Sequence, residues 1–394
     1  MNASRSTRPQ RSRNAVGEHT ATELPGGHRA AGSAPGTDEQ DLVDRVSDRR
    51  IAQVVELDTP ALVRERLPLL GEHAEVVMRG RADIAEILNG TDDRLLVVVG
   101  PCSVHDVDAA LEYARRLSRP ALELADDLRV TMRVYFEKPR TTTGWKGLIN
   151  DPDLDGSGDV NTGLRMAREL LLEVLGLGLP VGCEFLDPIT PQYISDTVAW
   201  GAIGARTTES QIHRQLGSGL SMPVGFKNRT DGNVQVAVDA VRAAAATHVF
   251  AGVEKNGTPA ILHTRGNPDG HVILRGGKGK PNHTAEEVAD ALSKLRTAGL
   301  DERLVIDASH DNSGKDAARQ PGVAAAVGAQ IAAGATAIVG VMLESFLVFG
   351  RQDLEAGDPL TYGQSITDAC MDWDTTVEVL DGLAEAVRRR REHR

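Results

Sequence analysis

The amino-acid sequence predicts an α/β fold in which eight parallel strands, each followed by a helix, close into a (β/α)8 barrel. From Leu95 onward, short β-rich apolar runs recur, and most precede a helical stretch. The runs are almost continuously apolar, which is typical of parallel strands covered by helices. The competing architecture, a doubly wound open sheet, predicts a GxGxxG turn after the first strand, and none occurs there. Eight such units in about 300 residues indicate a TIM barrel.

The predicted elements follow one another in a regular order. The predicted strands are residues 95–100, 130–138, 180–186, 202–206, 223–228, 271–277, 303–310 and 336–345. The predicted helices are residues 106–119, 161–176, 191–200, 233–246, 284–299, 322–334 and 365–391. Residues 247–270 interrupt the alternation with two β-rich runs around Asn256 and Gly257. Because Asn-Gly favours a tight turn with positive φ, we expect an inserted hairpin here.

The chain before the first strand divides into two parts. Residues 1–40 are rich in Arg, Ser, Ala, Gly and Pro and have few large apolar side chains, so we expect a disordered N-terminal tail. A transit peptide is the alternative, but the segment lacks an amphipathic apolar face. Residues 41–94 have a helical pattern and are expected to form an N-terminal extension packed on the barrel or on a neighbouring subunit. Residues 95–394 then form the barrel domain.

Composition excludes several classes of function. The 394 residues include 44 Lys and Arg against 56 Asp and Glu, a net charge of −12, so a general nucleic-acid footprint is absent. No apolar run approaches the roughly 18 residues that span a bilayer. Three scattered cysteines, Cys102, Cys183 and Cys370, are too few for a disulfide framework. We therefore expect a cytoplasmic protein with no nucleic-acid or membrane partner.

Cations accumulate where the predicted strands end, which is where a barrel carries its chemistry. A single cation at a strand end is usually an ordinary solvated charge. Several converging on one face of an acidic protein would repel one another without an anion between them, so their convergence predicts a phosphorylated or carboxylated ligand. The cations at or after strand ends are Arg133, Lys138, Arg140, Arg206, Lys227, Arg275 and Lys278.

A second set at the strand ends has the chemistry of metal ligands. Cys102, His310 and Glu344 follow or close predicted strands, and Asp368 lies in the loop after the last strand. A mixed set of sulfur, nitrogen and oxygen atoms suits a divalent first-row metal such as Mn, Fe, Co or Zn, and the thiolate disfavours Mg. A buried structural thiol is the alternative for Cys102.

Several segments closely resemble 3-deoxy-7-phosphoheptulonate (DAHP) synthases of class I, the aromatic-amino-acid-sensitive type, and the resemblance runs from about Arg49 to Arg391. The "KPRT" and "ARTTESQ" runs are highly specific to that family. The matching segments are "GPCSVHD" (100–106), "YFEKPRTTTGWKGLINDPDLD" (135–155), "CEFLDPITPQY" (183–193), "GAIGARTTESQIHR" (201–214), "PVGFKNRTDG" (223–232), "ILRGGK" (273–278), "IDASHDNS" (306–313), "GVMLES" (340–345) and "GQSITDAC" (363–370).

The resemblance implies a reaction and a role for each matching residue. The family condenses phosphoenolpyruvate with erythrose 4-phosphate and releases phosphate, the first step of the shikimate pathway. By resemblance, the metal ligands are Cys102, His310, Glu344 and Asp368. Phosphoenolpyruvate is expected to bind Arg133, Lys138, Arg206, Lys227 and Arg275, with Arg140 and Thr141 binding the phosphate of the aldose. Lys138 and Glu184 are the expected proton carriers.

The resemblance leaves three alternatives for the activity. A synthase that condenses phosphoenolpyruvate with arabinose 5-phosphate shares the barrel but lacks "KPRT". A variant that makes the same product or an amino analogue in a secondary-metabolic cluster also fits. A non-catalytic barrel would have lost a ligand, whereas this chain departs from the family at the edge of the site, with Phe346 and Phe349 where His and Glu are common.

The resemblance also implies regulation and assembly. Class I relatives are often inhibited by an aromatic amino acid that binds between the barrel, the hairpin and an N-terminal segment. In this chain, Asp48, Gln192 and Ser221 could edge such a pocket. The alternative is that these elements only form contacts in a homo-oligomer, a dimer or tetramer.

Overall fold

The computed structural model describes residues 46–139, 144–354 and 359–393. The chain divides into two units, with the boundary between Glu56 and Leu57. The described residues of the first unit, 46–56, contain no helix or strand. The second unit contains all the elements named below.

Eight parallel strands form a closed barrel. The strands are β1 (Leu95–Gly100), β2 (Leu128–Arg133), β3 (Val181–Glu184), β4 (Trp200–Ile203), β5 (Val224–Lys227), β8 (Gly270–Leu274), β9 (Leu304–Asp307) and β10 (Ile338–Glu344). They pair in the order β1-β10-β9-β8-β5-β4-β3-β2. Strands β6 (Val249–Val253) and β7 (Pro259–His263) form a separate antiparallel hairpin between β5 and β8. The predicted (β/α)8 barrel and its inserted hairpin are therefore confirmed.

Ten helices occur in the described part of the chain. They are α1 (Pro60–Arg66), α2 (Gly71–Asn89), α3 (Val107–Glu123), α4 (Val160–Gly176), α5 (Pro191–Ile194), α6 (Gln211–Gly219), α7 (Gln235–Ala244), α8 (Ala285–Thr297), α9 (Gln320–Ala332) and α10 (Trp373–Glu392). Carboxylates fix three of their starts: the side chains of Asp106, Asp159 and Asp372 accept hydrogen bonds from backbone N–H groups in the first turns of α3, α4 and α10. Such caps satisfy donors that a helix leaves unpaired.

The apolar residues form two cores on opposite faces of the strands. The outer core packs side chains such as Val97 and Val99 of β1 against the surrounding helices. The inner core fills the barrel with side chains such as Leu96, Val98 and Trp200, and Ile84 and its neighbours on α2 belong to it. Helix α2 therefore closes the N-terminal end of the barrel, and the chemistry is confined to the opposite end.

Some predicted boundaries are wrong. Strand β2 ends at Arg133 rather than at residue 138, because the following residues leave the sheet and Lys138 N donates to Lys146 O. The helix predicted over 191–200 is only one short turn followed by a 3-10 turn. The helix predicted over 365–391 begins at Trp373, since residues before it form isolated bridges with 345–351. No helix was predicted where α6 (Gln211–Gly219) lies.

Among the described residues, none of the helices combines the length and the apolar character that a membrane crossing needs.

Candidate active site

The carboxyl ends of the strands enclose a cavity of about 130 Å³. Most of the predicted site residues line it, because parallel strands in a barrel end at the same rim. The predicted residues in its wall are Arg133, Lys138, Glu184, Arg206, Lys227, Arg275, His310 and Asp368. Arg140 and Thr141 lie outside the described residues. A larger cavity of about 500 Å³ lies between α9 and α10, but no strand end opens into it.

Arg133 forms the floor of the cavity. Its side chain is 2% exposed, and its Nη2 donates to Glu344 Oε1 at 3.0 Å and to Cys102 O at 3.1 Å. The guanidinium lies 3.6 Å above the centre of the Tyr135 ring, which belongs to the inner core. Tyr135 is therefore the boundary between the apolar interior of the barrel and the charged site, and it adds a cation–π contact to the ion pair.

Glu184 lies within a group of cations. Lys227 Nζ is 3.6 Å from Glu184 Oε2 and 3.4 Å from Asp307 Oδ2. Burial alone would raise the pKa of Glu184, but Lys227, followed by Lys138 and Arg133, lowers it below its usual value. The carboxylate is therefore ionised at neutral pH and able to accept a proton. Gly204 leaves room for it, since a Cβ at this position would lie 2.7 Å from Glu184 Oε1.

Three of the four predicted metal ligands lie together. The ligand atoms of Cys102, Glu344 and Asp368 are all within 4.8 Å of one another, and the first two are buried while Asp368 is exposed toward the cavity. Burial, and next the Glu344 carboxylate, raises the pKa of the Cys102 thiol to about 11. Lys138 Nζ donates to Cys102 Sγ at 2.8 Å. One thiolate and two carboxylates fit a divalent first-row metal, which would displace the proton of the thiol.

His310 lies at the same rim but is not part of this cluster among the described residues. It follows β9 in a 3-10 turn with φ 53°, and its Nδ1 lies 2.9 Å from Asp307 Oδ2 and 2.7 Å from Ser309 Oγ. These contacts fix the ring through Nδ1 and leave Nε2 as the atom that could bind a metal. With Glu344 and Asp368, His310 lines a small adjoining cavity.

Two arginines form the opposite wall. Arg206 is exposed and donates from Nη1 to Pro139 O at 3.3 Å. Arg275 is 5% exposed, and its Nη1 contacts Asp311 Oδ2 at 2.6 Å, while its buried Nε has no hydrogen-bond partner in the described structure. A buried, unpartnered guanidinium nitrogen is costly unless a ligand accepts from it. Lys278, in contrast, is exposed and does not line the cavity.

Sequence reasoning missed several polar residues of the site. Lys315 and Thr230 line the cavity, and Tyr135, Asp307 and Asp311 each contact at least one of the predicted residues. Asp307 and Asp311 lie within the quoted segment "IDASHDNS", so their position beside His310 was the available signal. Tyr135 looked like an ordinary strand residue, because the sequence does not show that β2 ends at Arg133 and that the Tyr135 ring then lies against its guanidinium.

The fold and the site define a (β/α)8 barrel that gathers cations and a group of possible metal ligands at the C-terminal ends of its strands. The model of the DAHP synthetase I family matches residues 70–381. The chain belongs to this family.

Curated relatives and a solved structure agree with the family model. The chain is 55% identical over 352 residues to a phospho-2-dehydro-3-deoxyheptonate aldolase of Corynebacterium glutamicum, covering 88% of this chain and 95% of that protein. It is 56% identical over 344 residues to the Phe-sensitive enzyme of Escherichia coli, covering 87% and 98%. A Trp-sensitive enzyme of Enterobacter agglomerans is 54% identical over 348 residues, with 88% and 100% covered. The structure of the Francisella tularensis aldolase superposes with a TM-score of 0.85 at 52% identity, covering 86% and 99%.

Proposed function

We propose that this chain is a DAHP synthase, which condenses phosphoenolpyruvate with erythrose 4-phosphate and water to give 3-deoxy-D-arabino-heptulosonate 7-phosphate and phosphate. The observation that carries the proposal is the convergence of buried cations and the cluster of Cys102, Glu344 and Asp368 at one end of the barrel, in a chain of this family. The reaction joins two anions that repel each other, so it needs cations that hold both in register.

The cations are assigned to phosphoenolpyruvate by position. Arg133, Lys138 and Lys227 surround the deep part of the cavity and would hold the carboxylate, and Arg206 and Arg275 on the opposite wall would hold the phosphate. Arginine suits this role because its planar fork can donate two hydrogen bonds to one phosphate. Arg140 and Thr141 are assigned to the phosphate of the aldose on the family resemblance alone.

A proton acceptor is needed where water adds. When carbon 3 of phosphoenolpyruvate attacks the aldehyde carbon, carbon 2 becomes electron-poor and a water oxygen bonds to it. The tetrahedral carbon then expels phosphate. Glu184 is ionised beside Lys227, so we assign it to accept the proton of that water. Lys138, which reaches Cys102, is assigned to deliver a proton to the former aldehyde oxygen.

Cys102, His310, Glu344 and Asp368 would hold a divalent Mn, Fe, Co or Zn ion. When bound, the metal supplies Lewis acidity that polarises the aldehyde oxygen. The donor set supports this assignment, since the thiol is too soft a ligand for Mg and the exposed side of Asp368 faces the cavity.

The test is phosphate release from phosphoenolpyruvate. Purified protein is assayed with erythrose 4-phosphate and with arabinose 5-phosphate, before and after chelation and metal replacement. Rapid release that needs erythrose 4-phosphate and metal supports the proposal. Preference for arabinose 5-phosphate would contradict it, and so would full activity after exhaustive chelation.

We further propose that an aromatic amino acid inhibits the enzyme. The supporting observation is that relatives above half identity are named for sensitivity to Phe or Trp. The experiment titrates Phe, Tyr and Trp against the wild type and Ser221→Phe, which would fill the expected pocket. Inhibition by one amino acid that the substitution abolishes, at an unchanged uninhibited rate, supports regulation. A wild type that responds to none of the three contradicts it.

We also propose a homo-oligomer, a dimer or tetramer. One face of the hairpin exposes Val249 and Ile261, which are 59% and 72% exposed. Apolar side chains grouped on one exposed face suit a subunit contact, and this grouping supports the assignment. Light scattering of the wild type and Ile261→Asp measures the mass, and a monomeric wild type would contradict the assignment.

A further inference from the structure

The carboxylate of Asp311 contacts the guanidinium that is assigned to the phosphate. Asp311 Oδ2 lies 2.6 Å from Arg275 Nη1, and the side chains are 14% and 5% exposed. An anion so close to an arginine would weaken phosphate binding if charge alone mattered. The ion pair between Asp311 and Arg275 must therefore help the site in some way other than by attracting the phosphate.

The backbone around Asp311 is held rigidly against the end of β8. Asp311 N donates to Arg275 O at 3.2 Å, and Gly279 N donates to Asp311 Oδ1 at 3.2 Å. The next residue, Asn312, donates from Nδ2 to Leu274 O at 3.1 Å. Both carboxylate oxygens of Asp311 thus have fixed partners, one on the backbone and one on Arg275.

The close approach requires a glycine. Gly276 has φ 72°, and a Cβ at this position would lie 2.8 Å from the Cβ of Asp311. Since left-handed φ and the absence of a side chain are both needed here, the turn after β8 is shaped around Asp311.

Arg275 is fixed by one contact at its backbone and one at its guanidinium. Its backbone N donates to Asn228 Oδ1 at 2.8 Å, and Asp311 holds Nη1. The buried Nε remains without a partner among the described residues. Because Nε and Nη2 form one edge of the planar fork, this edge is the one left for a ligand.

We propose that Asp311 is a positioning residue, which turns Arg275 so that its Nε edge faces the phosphate of phosphoenolpyruvate. This inference rests on the proposed function, because that function places the phosphate at Arg275. Positioning and net charge make opposite predictions. If Asp311 positions the fork, its removal weakens binding of phosphoenolpyruvate; if it acts only as a competing anion, its removal strengthens binding.

The experiment measures kcat and both KM values for the metal-loaded wild type, Asp311→Ala and Asp311→Asn. We expect KM for phosphoenolpyruvate to rise about tenfold in Asp311→Ala, equivalent to one well-made charged hydrogen bond. The same KM should rise about threefold in Asp311→Asn, because a single carbonyl oxygen cannot serve both Arg275 and Gly279 N. KM for erythrose 4-phosphate should stay within about twofold in both variants, since this ligand is assigned elsewhere.

The matched control is Glu209→Gln. Glu209 forms a 2.7 Å ion pair with Arg229, whose side chain is 38% exposed, and neither residue lines the cavity. This variant should keep both KM values. If Asp311→Ala does not fold, as judged by its melting curve, the nearly isosteric Asp311→Asn decides the question.

Lower or unchanged KM for phosphoenolpyruvate in the Asp311 variants would overturn the inference, and so would equal rises in both KM values. Calorimetric titration with phosphoenolpyruvate measures binding without turnover. It therefore separates failure of the positioning inference from failure of the proposed function. Weaker binding by the variants supports positioning even if the wild type does not use erythrose 4-phosphate. Equal or tighter binding by the variants, or no binding by the wild type, overturns it.

Discussion

The two ends of the barrel differ in the hydrogen-bond partners of their buried side chains. At the N-terminal end, Trp200 Nε1 donates to His271 Nε2 at 3.1 Å, and His271 Nδ1 donates to Asp269 O at 3.1 Å. At the C-terminal end, Arg275 Nε and the Tyr135 hydroxyl are buried without hydrogen-bond partners in the described structure. Buried polar groups are normally paired, so Arg275 Nε, in the wall of the cavity, is a donor that a ligand could satisfy.

The difference shows how one fold separates stability from binding. The N-terminal end is filled by apolar side chains and closed by α2, where Asp83 pairs with Arg129 at 3.0 Å. The C-terminal end contains buried charges whose desolvation costs several kcal/mol each unless partners compensate. Substitutions at the first end should therefore change the free energy of unfolding, whereas substitutions at the second should change activity.

The largest effect is expected at the metal-ligand cluster. Cys102→Ser replaces a soft thiolate with a hard hydroxyl and should lower metal affinity by roughly a hundredfold or more, with activity falling in parallel at limiting metal. Metal titration of the chelated protein measures it. Cys183→Ser is the control, since this buried cysteine donates to Val134 O outside the cluster. Unchanged metal affinity in Cys102→Ser would show that the thiol is structural.

The second prediction tests the closed end. Ile84 on α2 is fully buried in the inner core, so Ile84→Ala should reduce the free energy of unfolding by about 2–4 kcal/mol. Because the side chain is at the opposite end of the barrel from the carboxyl ends of the strands, kcat should stay within about twofold. Urea unfolding and steady-state assays measure the two quantities. A large loss of kcat in folded protein would mean that the two ends are coupled.

The third prediction concerns Glu137, beside Lys138 at the open end. Burial, and next the Asp187 carboxylate to which it is hydrogen-bonded, raises the pKa of Glu137 from 4.5 to about 9. The folded chain therefore keeps a proton that the unfolded chain loses as pH rises from 4.5 to 9, so stability should fall across this range. Glu137→Gln should remove the fall and add about 2 kcal/mol at pH 8. Identical pH profiles of unfolding for the wild type and Glu137→Gln would refute the raised pKa of Glu137.

The smallest effect should have the opposite sign and come from the closed end. Burial lowers the pKa of His271 from 6.5 to about 4, so the unfolded chain binds a proton that the folded chain does not. Its contribution to stability is complete above pH 6.5 and is lost as pH falls toward 4. His271→Gln should flatten this acid limb by about 1 kcal/mol. Thermal melts between about pH 4 and about pH 7 measure the slope. An unchanged slope would assign the acid sensitivity to other groups.

The sequence was sufficient to predict the barrel and the rim. Strand runs such as 95–100 are apolar on both faces, and this pattern is typical of parallel strands that helices cover. Once the strands were assigned, barrel geometry brought Glu184, Lys227 and Arg275 to one cavity without any knowledge of their side-chain conformations.

What the sequence could not predict depends on long-range contacts. The segment 365–372 has helical composition, but bridges such as Gly350 with Cys370 hold it extended. His310 lines a small cavity with Glu344 and Asp368, but its positive φ and its contact with Asp307 fix the ring by local geometry that no spacing rule describes. Asp311 could not be assigned because its partner, Arg275, follows a different strand, β8, whereas Asp311 follows β9.

Helix α2 has a consequence for how the chain is made. It is synthesised before the first strand, yet its inner-core partners extend from Leu96 to Met342. The helix therefore cannot reach its final environment until almost the whole barrel has left the ribosome. During translation its apolar face stays uncovered, which makes it a natural binding site for chaperones. Since these contacts have a large separation in sequence, the closing of the barrel should be the slow step of refolding.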